Sequence, residues 1–61
     1  MKLREYLLER RITSREFAVK IGVSMSAVRK WRSGTRIPRK DVLIKIQKYT
    51  KGLVTSEDWY H

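Results

Sequence analysis

Residues 24–33 carry polar side chains whose types and spacing suit hydrogen bonding to a polyanion. At about 100° per residue, one side of a helix over this segment is polar and holds Ser26, Arg29, Lys30 and Ser33. The opposite side is apolar and holds Ala27, Val28 and Trp31. Arginine matches the paired acceptors of guanine in the major groove, and serine also hydrogen-bonds base edges. The pattern indicates a helix that presents this polar side to DNA. An ordinary surface helix with a cationic side would show the same arrangement on a helical wheel.

The distribution of charge favours the first interpretation. The chain has 61 residues and a net charge of +9. Residues 10–40 hold ten Lys and Arg against one acid, Glu16, whereas the segments before and after each sum to zero. Cations that merely solvate helix faces would have acids mixed among them. The sequence therefore predicts one polyanion-facing side, built from the middle of the chain.

Composition excludes several classes of site. With no cysteine there is neither a disulfide framework nor a thiolate zinc site. The single histidine, His61, leaves no basis for a histidine metal site or acid–base pair. Because no apolar run of sufficient length occurs at the start of the sequence or further along it, we expect neither a signal peptide nor a membrane span. We expect one domain over residues 1–61, cytoplasmic and non-enzymatic, with no cofactor, membrane or small-molecule substrate.

Capping residues and glycines predict the first three helices. The first covers residues 2–11, with Leu8 on its apolar side together with Leu3, Tyr6 and Leu7. The second begins at the capping box Thr13-x-x-Glu16 and ends at Gly22. Its buried side is formed by Phe17, Ala18 and Ile21. The third is capped by Ser24 and runs to about Ser33, before Gly34.

The C-terminal part is predicted to be helical as well. A fourth helix has Pro38 and Asp41 in its first turn and runs to about Thr50, with Gly52 ending it. A strand over residues 42–50 is the alternative, but strict alternation fails at Gln47-Lys48. The apolar face of the helix holds Val42, Leu43, Ile46, Tyr49 and Leu53. Thr55-x-x-Asp58 starts a last turn that carries Trp59 and Tyr60, which cover the core or a dimer seam.

The spacing around the glycine corner resembles the Cro/repressor-type helix-turn-helix family. The matching stretch is TSREFAVKIGVSMSAVRKW, residues 13–31, in which Ala18 precedes Gly22 by four residues, and Val28 and Trp31 follow it by six and nine. The continuation Trp31-x-x-Gly34-x-x-x-Pro38 is also similar, and the resemblance covers about residues 12–50. The length resembles that of small phage Cro-like repressors. The resemblance implies an all-α, compact five-helix lambda-repressor-like domain with its helix-turn-helix at about residues 13–33. A Cro-like variant with a C-terminal β-hairpin stays open.

Function follows from the resemblance as an expectation. It implies a sequence-specific regulator that binds a double-stranded DNA operator as a weak homodimer, a Cro-like repressor acting by operator occlusion. The residues expected to read bases are Ser24, Met25, Ser26, Arg29 and Lys30. The residues expected to contact phosphates are Ser14, Arg15, Ser33, Arg36 and Arg39.

Three positions have alternative roles, and three other functions stay open. Family members use the first residue of the second helix, often a glutamine, as a phosphate clamp that also bridges to the recognition helix. Ser14 stands at that place, which argues against the bridge and leaves Arg15 as the alternative phosphate contact. Met25 either touches a thymine methyl or packs against the protein, with packing slightly favoured. Ile44 falls off the apolar face of its helix, where it is either a lone exposed residue or a dimer contact. The alternatives are an antitoxin or activator working with a protein partner, a nonspecific nucleic-acid coat and a cationic membrane-surface peptide.

Overall fold

The computed structural model describes residues 1–59, which form four α-helices and one 3₁₀ turn and contain no strand. The helices are α1 (Leu3–Arg10), α2 (Ser14–Ile21), α3 (Met25–Ser33) and α4 (Lys40–Tyr49), followed by the 3₁₀ turn Ser56–Trp59. The predicted all-α fold is confirmed, and within these residues the alternative with a C-terminal hairpin is wrong. Tyr60 and His61 lie outside the described residues, and so does the predicted place of Tyr60 in the last turn.

The corner between α2 and α3 forms for the reasons predicted from the sequence. Thr13 Oγ1 accepts the N–H of Glu16 at 3.1 Å, and Glu16 Oε1 accepts the N–H of Thr13 at 3.2 Å, which completes the capping box. Gly22 ends α2 with φ +83°, a left-handed conformation that glycine adopts without steric cost. Ser24 then caps α3 by accepting the N–H of Ala27 at 3.2 Å. The two helices are therefore joined by a connection of only three residues, 22–24.

The start of α4 differs from the prediction, whereas its end agrees with it. The helix begins at Lys40, with Arg39 as N-cap in an extended conformation, so Pro38 precedes the first turn instead of lying in it. Asp41 does lie in that turn. At the other end, α4 stops at Tyr49 with Thr50 as its C-cap, which agrees with the prediction to within one residue. Gly52 follows with φ +83° and donates its N–H to the carbonyl of Gln47 at 2.8 Å, so it closes this end of the helix as predicted. The hydroxyl of Thr50 donates to the carbonyl of Ile46 at 2.8 Å and accepts the N–H of Val54 at 3.1 Å, which joins the end of α4 to the segment that follows.

The core draws on all four helices and on the segment after α4. Its buried apolar side chains are Leu3, Tyr6, Leu7, Phe17, Ala18, Ile21, Val28, Trp31, Leu43, Ile46 and Val54. Trp59 packs against this core. Of the two roles predicted for it, covering the core is therefore confirmed. None of the helices within residues 1–59 is long and apolar enough to cross a bilayer.

Three apolar residues are more exposed than the sequence predicted. Leu8 is 61% exposed, because it lies off the stripe that Leu3 and Leu7 share on α1, and its predicted burial is wrong. Tyr49 and Leu53, predicted on the apolar face of α4, are 37% and 40% exposed. The ring of Tyr49 nevertheless packs edge-on against the buried Phe17, with 5.7 Å between the ring centroids, so its place on this face is confirmed. Leu53 follows the end of α4 and so does not continue its apolar stripe.

The N-terminus lies against the C-terminal segment. The ammonium group of Met1 donates to the carbonyl of Leu53 at 2.8 Å and to Asp58 Oδ2 at 3.0 Å. The N–H and hydroxyl of Thr55 donate to the same carboxylate oxygen at 2.8 and 3.2 Å. Partial burial by itself would raise the pKa of Asp58, but these hydrogen bonds to the charged form outweigh it. The pKa of Asp58 therefore lies below its ordinary 3.8.

Candidate nucleic-acid interface

Helix α3 lies on the protein with its apolar side inward and its cations outward. Trp31 is 7% exposed and Val28 is fully buried, while Ala27 is half-buried. The polar side of the wheel is exposed in full, with Ser26, Arg29, Lys30 and Ser33 in solvent. The orientation predicted from the wheel is therefore confirmed.

An open cleft with four arginines runs along one flank of α3. It has a volume of about 600 Å³ and lies where α1, the first turn of α2 and α3 meet. Its lining residues are Arg4, Thr13, Ser14, Arg15, Met25, Arg29, Arg32 and Ser33. Within the described part of the chain, no acidic side chain lines this arginine cleft. A concave surface lined by charge of a single sign raises the local concentration of oppositely charged ions, so the arginine cleft attracts anions.

A hydrogen bond inside the arginine cleft joins α3 to α2. Arg32 Nη1 donates to Ser14 Oγ at 2.8 Å, and the pair is partly buried. Ser14 is the first residue of α2 and Arg32 belongs to the last turn of α3. The first turn of α2 is therefore connected to α3 by a side-chain contact, which the sequence analysis did not predict.

A second cleft lies on the opposite flank of α3. It has a volume of about 500 Å³, and its polar lining includes Ser24, Arg36, Arg39 and Asp41. Arg36 and Arg39 are exposed, so their guanidinium groups are accessible from solvent. The ten residues predicted from the sequence are therefore not gathered at one point. Both flanks of α3 carry arginines, and the outward face of the helix lies between them.

Several of the predicted site residues also have structural contacts. Ser24 Oγ serves as the N-cap of α3. Ser33 Oγ donates to the carbonyl of Lys30 at 3.1 Å and lies 3.0 Å from the hydroxyl oxygen of Thr35. Met25 is half-buried and packs against the core, as expected, while its side chain also lines the arginine cleft. These three side chains are held in place before any ligand binds.

Two arginines of the cleft, Arg4 and Arg32, were not predicted from the sequence. Arg4 belongs to α1, outside the segment that carries the helix-turn-helix pattern, and it reaches the cleft because α1 packs against α3. Arg32 flanks the polar side of the α3 wheel, and its bond to Ser14 spans 18 residues of sequence. The only sequence signal for Arg4 is its positive charge, and for Arg32 it is that charge together with its place beside the polar side of the wheel.

Other kinds of site find no support in the described residues. No group of three or more His, Cys, Asp or Glu that could hold a metal ion occurs within residues 1–59. The one ion pair found there joins the ammonium group of Met1 to Asp58, and it involves no residue of either cleft. The cationic surface around α3 is therefore the candidate site.

Comparison with known proteins agrees with this geometry. A family model described as helix-turn-helix matches residues 3–52, which extends from the start of α1 to just beyond α4 and includes Arg4. The chain matches no curated protein and no solved structure at a significant level. The family match covers most of the chain and includes both helices of the corner. The chain therefore belongs to the Cro/repressor-type helix-turn-helix family of DNA-binding regulators.

Proposed function

We propose that the protein is a sequence-specific regulator that inserts α3 into the major groove of duplex DNA. The single observation that carries this proposal is the exposed polar face of α3, with its apolar side buried and a cleft containing arginines on either flank. The major groove of B-DNA is about 12 Å wide and admits one α-helix. A helix seated there has a phosphate backbone on each side, which matches cations placed on both flanks.

The proposal divides the residues into two groups by the part of DNA that they contact. Base edges are read by Ser24, Met25, Ser26, Arg29 and Lys30. Phosphates are held by Ser14, Arg15, Ser33, Arg36 and Arg39, to which the geometry of the arginine cleft adds Arg4. Phosphate contacts set the register of the protein on the duplex, and base contacts supply sequence preference.

The regulatory mechanism that we propose is steric, as in a Cro-like repressor. Two copies assemble on adjacent half-sites as a weak homodimer, and the bound pair blocks access of polymerase to the operator. If the pair is related by a two-fold axis, its operator is palindromic, with half-sites about 34 Å apart. No cofactor takes part.

Selection of bound sequences from random duplexes at physiological salt tests the proposal. We expect one enriched motif of a few base pairs, repeated as an inverted pair with a separation near one helical turn. Binding that is equal for all sequences at fixed salt would contradict the proposal, because phosphate neutralisation alone carries no sequence information. That result would instead support a nonspecific nucleic-acid coat.

A further inference from the structure

The contact between Arg32 and Ser14 ties together the two helices of the corner at their outer ends. The donor is in the last turn of α3, the acceptor is the first residue of α2, and their distance is 2.8 Å. The N-cap of α2 is Thr13, so the hydroxyl of Ser14 is not needed to cap the helix. The contact is therefore additional to the local interactions that form the corner.

The donor and acceptor capacities of the two groups determine which hydrogen bonds Ser14 can still form. A guanidinium group can only donate, so the oxygen of Ser14 must accept. A serine hydroxyl has one donor hydrogen besides its acceptor lone pairs, and that hydrogen stays free for another partner. A charged donor also polarises the hydroxyl and strengthens the bond that it donates in turn. Ser14 is therefore prepared to donate to an anion.

The surroundings favour an anion at this point. Ser14 lines the arginine cleft together with Arg4, Arg15 and Arg29. In the first turn of α2 the capping box uses the N–H groups of Thr13 and Glu16, which leaves the backbone N–H groups of Ser14 and Arg15 for an anion. A DNA phosphate that enters the cleft meets both a positive field and a hydroxyl donor.

Resting on the proposed function, we propose that Arg32 is a positioning residue of the DNA-binding surface. It holds the hydroxyl of Ser14 as a donor to a backbone phosphate, and it ties the first turn of α2 to α3. The group that contacts the phosphate and the helix that reads the bases are thereby held at a fixed position relative to each other. Arg32 acts through Ser14, and its effect on binding depends on that side chain.

A double-mutant cycle on DNA affinity tests this dependence. The variants are Ser14→Ala, Arg32→Ala and the double variant, with Ser14→Thr as the matched control that keeps a hydroxyl. Each is titrated against the duplex that the wild type prefers and against a scrambled duplex, at several salt concentrations. Circular dichroism and thermal melting establish that each variant is folded at the temperature of the titration.

We expect Ser14→Ala to weaken binding by about 3- to 10-fold, the range for one lost hydrogen bond. It should leave the salt dependence unchanged, because no charge is removed. The factor by which Arg32→Ala weakens binding should be at least about three times smaller in the Ser14→Ala background than in the wild type, because the positioning role of Arg32 is already lost there. Ser14→Thr should bind nearly as well as the wild type.

Three results would overturn the inference. Arg32→Ala could cost the same in both backgrounds, which would make Arg32 an independent cation. Coupling could occur in thermal stability but not in affinity, which would make the contact purely structural. Ser14→Thr could bind as weakly as Ser14→Ala, so that the hydroxyl is not the group that matters. A wild type that shows no duplex preference would instead refute the proposed function, and the two failures are thus distinguishable.

Discussion

Replacement of Arg29 by alanine separates base readout from general attraction to DNA. Arg29 is exposed on the outward face of α3, and within residues 1–59 its side chain forms neither a hydrogen bond nor an ion pair. Truncation therefore leaves no buried group without a partner. We expect the free energy of unfolding to change by no more than about 0.5 kcal/mol, as for other surface substitutions.

The expected loss of affinity has two parts of different size. One part is the loss of a single positive charge from the arginine cleft, which affects every duplex alike. The other part is the loss of a side chain that reads a base, about 1–3 kcal/mol on the preferred site alone. The second part corresponds to roughly a 5- to 150-fold change in Kd.

Fluorescence anisotropy at physiological salt measures both parts. The labelled duplexes are the one enriched by selection and a scrambled version of the same composition. Lys45→Ala is the control, because it also removes one exposed cation but belongs to α4 and lines neither cleft. We expect Lys45→Ala to weaken binding slightly and equally on both duplexes.

Equal losses on the preferred and scrambled duplexes would refute the assignment of Arg29 to base readout. The same conclusion would follow if Arg29→Ala matched Lys45→Ala on both duplexes. A change in melting temperature of many degrees would instead show that Arg29 supports the fold. Each outcome identifies the step of the reasoning that fails.

Three further predictions concern phosphate contact, packing and pH. Arg15→Ala should weaken binding to all duplexes alike and reduce the slope of log K against log salt by about 0.9, the contribution of one phosphate; a sequence-dependent loss would contradict its role. Ile46→Ala, at a fully buried site, should lower the free energy of unfolding by about 2–5 kcal/mol in a urea titration, and a smaller loss would mean that the site is loosely packed. Because the pKa of Asp58 is lower in the folded state than in the unfolded one, its stabilising effect is complete above the ordinary value of 3.8 and is lost as the pH falls through the folded value. Melting scans between about pH 6 and pH 2 should show this loss in the wild type but not in Asp58→Asn, and equal acid sensitivity of the two would contradict the assignment.

The corner between α2 and α3 was predictable because its causes are local. The capping box of Thr13 and Glu16 acts within one turn, and Gly22 supplies the left-handed residue that ends α2. The orientation of α3 was predictable because Trp31 and Val28 lie on one side of its helical wheel and the polar residues lie on the other. Interactions of this kind depend on neighbours three or four residues away, which the sequence displays directly.

The parts that sequence reasoning missed depend on distant residues. Arg4 becomes part of the arginine cleft only once α1 packs against α3. The bond from Arg32 to Ser14 needs both helices of the corner in place. The contact between the end of α4 and the segment after it depends on Thr50, whose hydroxyl accepts the N–H of Val54. The sequence shows that these arginines are positively charged, but it does not show which cations come together in the folded protein.

An NMR titration of the isotopically labelled 61-residue chain with a duplex tests the central claim most directly. The backbone amide signals and the arginine side-chain signals are followed together as DNA is added. The account predicts that the largest shifts occur in residues 24–33 and at Arg4, Arg15 and Arg32, while the outer face of α4 around Ile44 and Lys45 changes little. Shifts centred on α4, with α3 unaffected, would contradict it.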